Sequence, residues 1–121
     1  MAKYVKEFEG DYDQFIDYLK KRILEGSLSV NLEESQKTVI NDVTCTVLVY
    51  ERYSYSGGNR VSMNITILGY QKHIHIIGVS AGGSQATFFK INTFGEESFL
   101  KTLIYPVEEY IEKFTKHAKG I

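Results

Sequence analysis

The chain has 121 residues, 43% hydrophobic and 24% charged, with fourteen Lys and Arg against fifteen Asp and Glu for a formal net charge of −1. That balance fits one globular domain over 1–121 and excludes a disordered chain, a strongly basic nucleic-acid binder and a partner of acidic membrane surfaces. No apolar run approaches the roughly 18 residues that suggest a transmembrane helix, and the single cysteine, Cys45, cannot form an intramolecular disulfide.

The opening Met-Ala-Lys-Tyr-Val-Lys-Glu lacks the apolar core of a signal peptide, so a cytoplasmic location is expected. Val, Ile and Thr supply 29 residues and Tyr and Phe another sixteen, types that suit a pleated, half-buried surface. There is one proline, Pro106, and neither a repeat nor a low-complexity stretch. Lys3 to Glu9 reads as a first strand with Tyr4 and Phe8 on one face. Asp11 with Gln14 three residues on is a capping-box variant that opens a helix. Its apolar stripe is Tyr12, Phe15, Ile16, Leu19 and Ile23, and Gly26 stops it.

Ser27 to Glu34 alternates as a strand, with Leu28, Val30 and Leu32 on its buried side, and a polar turn is expected at Ser35 to Lys37. Val39 to Tyr55 reads as one long strand, bent or bulged near Asn41-Asp42. Ser56-Gly57-Gly58-Asn59 turns the chain into a returning strand, Arg60 to Tyr70. A three-residue loop keeps apolar residues together by pairing Val49 with Ile65, Val47 with Ile67 and Tyr53 with Val61, whereas a one-residue slip exchanges the faces. After a turn at Tyr70-Gln71, His73 to Ser80 is expected to pair Ile74 with Ile67 and Ile76 with Ile65. Ala86 to Asn92 reads as a last strand, and Thr93 with Glu96 as the cap of a final helix. That helix carries Phe99, Leu100, Leu103, Val107, Tyr110, Ile111 and Phe114 on one face, with a kink or break expected near Pro106. The order β-α-β-β-β-β-β-α describes an α+β domain with an antiparallel sheet of five to six strands.

In the expected register the outer sheet face carries Leu48, Tyr50, Leu68, Tyr70, Ile77 and Val79, together with Arg52, His73 and His75. An apolar face of this kind marks a contact, so these six form the candidate interface. The second candidate is a ligand-binding segment, Ser80, Gly82, Gly83, Ser84 and Gln85. Adjacent glycines let backbone amides approach an anion there, and hydroxyl and amide side chains add donors. The same segment also serves as a plain sheet bend. It is not a phosphate loop, because Gly-Lys-Ser/Thr and a following helix are missing.

Catalytic and metal signals are weak. His73 and His75 share a strand face as weak zinc or copper candidates, but no third ligand accompanies them, since Cys45 falls on the other face in this register. Cys45 itself reads as a buried structural thiol. Glu51 points inward near Met63 and would need a partner or a place beyond the core's rim. No nucleophile elbow is present, and no cofactor is implied.

Val49-Tyr50-Glu51-Arg52-Tyr53 through Gly57-Gly58-Asn59-Arg60-Val61-Ser62, and Ser80 through Phe99 (SAGGSQATFFKINTFGEESF), resemble a small uncharacterised family from Gram-positive bacteria, a domain of unknown function. The resemblance covers nearly the whole chain. It implies a bacterial cytoplasmic origin and carries over neither a reaction nor site residues. The sequence reading leans away from an enzyme, towards a module that pairs with itself or with another protein, without nucleic acid or membrane. The alternative is a small-ligand domain, apolar or anionic in taste, with its site between the curved sheet and the last helix.

Overall fold

The computed structural model describes residues 1–27, 29–53, 60–82 and 89–115, and for 89–94 the backbone alone. Seven elements follow in order: β1 (Ala2–Glu9), α1 (Tyr12–Glu25), β2 (Asn31–Ile40), β3 (Val43–Tyr53), β4 (Arg60–Tyr70), β5 (His73–Gly82) and α2 (Phe89–Phe114). The fold class is the expected α+β. The five strands form one antiparallel sheet ordered β1-β5-β4-β3-β2. Strands β2 to β5 are a meander, while α1 carries the chain from one edge of the sheet to the other.

Helix α1 begins where the cap predicts, with Asp11 Oδ1 accepting the Gln14 N–H at 2.9 Å, and Gly26 closes it by donating to the carbonyls of Arg22 and Ile23. Its stripe of Phe15, Ile16, Leu19 and Ile23 is buried. Helix α2 buries Phe99, Leu100, Leu103, Val107 and Tyr110 against the same sheet face. That covered face carries Leu48 and Tyr50 from β3, Met63, Ile65 and Ile67 from β4, and Ile74 and Ile76 from β5.

Several expectations are corrected. The strand β2 runs straight through the polar Ser35–Lys37 stretch, and the turn lies at Asn41-Asp42, so the expected long strand is two strands. Asn41 takes φ 55°, a left-handed conformation Asn tolerates better than most residues. Gln71, at the equivalent place in the β4–β5 turn, also has φ 55°. In the β3–β4 hairpin Leu48 faces Ile65, Val49 faces Asn64 and Tyr53 faces Arg60, one residue away from the expected pairing, and the expected three-residue loop itself lies outside the described residues. This one-residue change of register turns every β3 side chain to the other face. Between β4 and β5, Ile67 faces Ile76 and Gly69 faces Ile74, a two-residue shift that keeps the faces.

Residues 89–92, expected in a strand, belong to α2, and the rest of that expected strand lies outside the described residues. Thr93 and Glu96 accordingly sit within the helix and not at its cap. Helix α2 also continues through the buried Pro106 without a break.

Candidate functional site

The open side of the sheet and the polar end of its covered side hold the chemistry. On the open side, β3 presents Cys45, Val47 and Val49, β4 presents Thr66 and Leu68, and β5 presents His75, Ile77 and Val79, all partly exposed. Val5, Ile40, Val43 and Tyr70 extend the patch and are among the exposed large hydrophobic residues. Charged side chains keep to its rim. Lys3, Glu7 and Glu9 lie on edge strand β1 and Glu34 on edge strand β2. Glu51 and Arg60, at the hairpin end, meet as an ion pair at 2.5 Å.

Leu68, Tyr70, Ile77 and Val79 therefore occupy the face expected of them. Leu48 and Tyr50 do not: both are fully buried beneath the helices, and their neighbours Val47 and Val49 take their places outside. The same flip puts Glu51 on the open side, where Arg60 neutralises it, and sends Arg52 to the covered side. Cys45 also moves to the open face, partly exposed, in line with Leu68 and His75 across the strands. His75 Nδ1 lies 2.9 Å from Glu7 Oε2, while His73 sits beside the turn. Among the described residues no group of three or more His, Cys, Asp or Glu is placed to hold a metal ion.

The polar end of the covered face lies under the N-terminal part of α2. Ser80 is fully buried there, and its hydroxyl has no hydrogen-bond partner among the described residues. Gly82, the last residue of β5, donates its N–H to Glu96 Oε2 at 2.7 Å. Gly83, Ser84 and Gln85, the remainder of the expected ligand segment, lie outside the described residues. Tyr50 shares the sheet level of Ser80. Burial pushes its phenol up to about 12, and its hydroxyl too is without a partner among the described residues. Arg52 stands with its guanidinium 4.7 Å from the Phe99 ring centroid and donates to Ser98 Oγ at 3.0 Å. Burial holds that guanidinium below its ordinary value.

Sequence reasoning missed Tyr50, Arg52 and Glu96 as members of this cluster. The usable signal was Glu96 itself: a carboxylate one helical turn before the apolar Phe99 and Leu100 falls on the buried stripe and needs a partner there. Tyr110, on the same helical stripe as Phe99, is at the far end of the layer, donating to Gln14 Oε1 at 2.6 Å.

Fold and site together define a two-layer α+β protein with both helices on one side of a five-stranded sheet and an apolar face left open on the other. The chain belongs to a family of unknown function (DUF6054), whose sequence profile matches residues 1–111. No curated protein matches it. Among the described residues no helix is long and apolar enough to cross a membrane.

Proposed function

We propose that this protein is a non-enzymatic module that acts as a homodimer, two copies burying their open sheet faces against each other in the bacterial cytoplasm. The observation that carries the reading is the make-up of that face. Val47, Val49, Leu68, Ile77 and Val79 surround the neutral Asn64 and Thr66 in its middle, and charges are confined to the rim. A sheet normally hides such a face, and sheets stack about 10 Å apart with interdigitated side chains.

Size supports the same conclusion. Five strands spaced about 4.8 Å and running about ten residues cover about 24 by 33 Å, or about 800 Å². That is about the share each partner contributes to a standard-size interface. Two-fold pairing suits the rim, which carries both signs, Lys3 and Arg60 against Glu7 and Glu51. The balanced charge offers no attraction to nucleic acid or to a membrane surface.

Native mass spectrometry and sedimentation test the proposal. The wild-type protein is expected at twice the 13.8 kDa chain mass. The Val47→Lys, Ile77→Lys double variant is expected as a folded monomer with an unchanged far-UV spectrum, because two ammonium groups would be desolvated in the interface. A wild-type protein that stays monomeric up to ~100 μM, where even a dimer of modest affinity forms, would overturn it.

A further inference from the structure

The helix-covered side of the sheet, opposite the proposed dimer face, is treated differently at its two ends. Where β3 begins and β4 ends, beneath the start of α1, the hydroxyls are answered: Tyr12 Oη donates to the Ile67 carbonyl at 2.8 Å and lies 2.7 Å from Thr46 Oγ1. Towards the end of β5, Tyr50 and Ser80, both 0% exposed, have hydroxyls with no hydrogen-bond partner among the described residues. Buried polar groups are nearly always paired, so two orphans at one sheet level call for an occupant. They flank Met63, with Tyr50 opposite it on β3 and Ser80 opposite it on β5. One level on stand Arg52, Val61 and Gly82.

The charges around the orphans decide the class of occupant. Glu96 is already engaged, by the Gly82 N–H and by the Met1 amino group. Arg52 has the Phe99 ring and the Ser98 hydroxyl, but no carboxylate partner among the described residues. A cationic ligand would add a second positive charge beside Arg52, and a neutral one would leave it uncompensated.

The geometry points to a binding site for a small monocarboxylate with a short apolar tail, formed on the covered face by Tyr50, Arg52 and Ser80 beneath Phe99. The two hydroxyls donate to the carboxylate oxygens, and Arg52, still partly exposed, balances the charge from the rim. Met63 and Phe99 supply the apolar contact for the tail.

Sodium butanoate is the probe and butanamide its neutral counterpart, each titrated against the full chain by thermal shift. Without ligand, Tyr50→Phe and Ser80→Ala are expected to leave Tm unchanged or raise it by up to about 4 °C, because each removes an orphan hydroxyl. Butanoate is expected to raise the wild-type Tm saturably while butanamide does not. Each hydroxyl variant, and Arg52→Gln, is expected to bind butanoate at least about tenfold more weakly. A Tm several degrees lower in unliganded Tyr50→Phe would show that its hydroxyl already has a partner and would overturn the proposal. So would flat butanoate curves, or a response equal to that of butanamide. Because this site and the dimer face lie on opposite sides of the sheet, mass measurement and ligand titration report on the two proposals separately.

Discussion

The Tyr12 ring lies against the backbone of Gly69, and the contact leaves no room for a side chain. A Cβ added at Gly69 would fall 2.3 Å from Tyr12 Cδ1 and 2.7 Å from Cε1. The ring cannot swing away cheaply, because its hydroxyl is held by the Ile67 carbonyl and Thr46. Gly69→Ala is therefore expected to destabilise the fold by about 2–3 kcal/mol, combining overpacking with a weakened buried hydrogen bond. In a Tyr12→Ala background the same substitution should cost much less, and urea titration of the four-member cycle measures that coupling. Equal costs in both backgrounds would show that Tyr12 is not the obstacle. Gly78 makes a similar close approach, with its added Cβ 2.2 Å from Leu103 Cδ2. There the obstructing atom is the end of a fully buried leucine side chain. Both glycines are visible in the sequence as interruptions of strands, yet nothing in the chain says which helical side chain each receives. At β3 the difficulty is of another kind. Leu48 and Tyr50 alternate with Val47 and Val49, so both faces read as apolar and alternation alone does not choose the buried one.

At the scale of elements, α2 is fastened by tyrosine hydroxyls that donate to carboxylates and amides. Tyr4 donates to Glu108 Oε2 at 2.5 Å, Tyr18 to Glu109 Oε1 at 2.5 Å and Tyr110 to Gln14 Oε1 at 2.6 Å. Arg22 adds two nitrogens to Glu109 Oε1, each at 2.9 Å, which ties α1 to α2. Phe8, Phe15, Tyr18, Tyr110 and Phe114 pack edge to face, tilted or stacked around this junction, with centroids 4.7–6.0 Å apart. The Tyr18 hydrogen bond and then Arg22 hold the Glu109 carboxyl below its ordinary value. A depressed carboxyl stabilises the fold above its unfolded pKa of about 4.3 and loses that contribution as pH falls through the lower folded value. Tm measured from pH 7 downward should fall on the acid side, and more gently in Glu109→Gln, whose amide neither gains nor loses a proton. If the two proteins lose stability in parallel, Glu109 is not a source of the acid response. The apolar stripe of α2 was legible from three- and four-residue spacing. Its start at Phe89 was not, because Ala86 to Asn92 is rich in aromatic and β-branched types that favour a strand by composition.

Over the whole molecule, one sheet separates two environments, and the one-residue register difference at β3, which exchanges its faces, determines which candidates the sequence could place. The α+β class, α1 with its cap, and the apolar open face were all readable. So were Leu68, Ile77 and Val79 on that face, since β4 and β5 keep their sides under a two-residue shift. The cluster of Tyr50, Arg52, Ser80 and Glu96 was not, because it depends on which way β3 faces and on a helix that begins before its expected cap. That covered face also determines how the protein responds to alkali. Burial is the leading cause that raises Tyr4, Tyr12, Tyr18, Tyr50 and Tyr110 above their ordinary value, Tyr50 to about 12. An unfolded tyrosine releases its proton near pH 10. Between that pH and the folded values the native state holds more protons than the unfolded one, so stability falls as pH rises. The contribution is complete below about pH 10 and disappears as the folded values are passed. Urea-derived stability should therefore hold steady between pH 8 and about 9.5 and then decline steeply. Phenolate absorbance at high pH should show a late phase that coincides with the loss of far-UV circular dichroism, since these five rings ionise fully only when the sheet–helix layer opens. A single reversible wave centred near pH 10, with the circular dichroism intact, would mean that the rings are accessible to water and that the helices do not seal this face of the sheet.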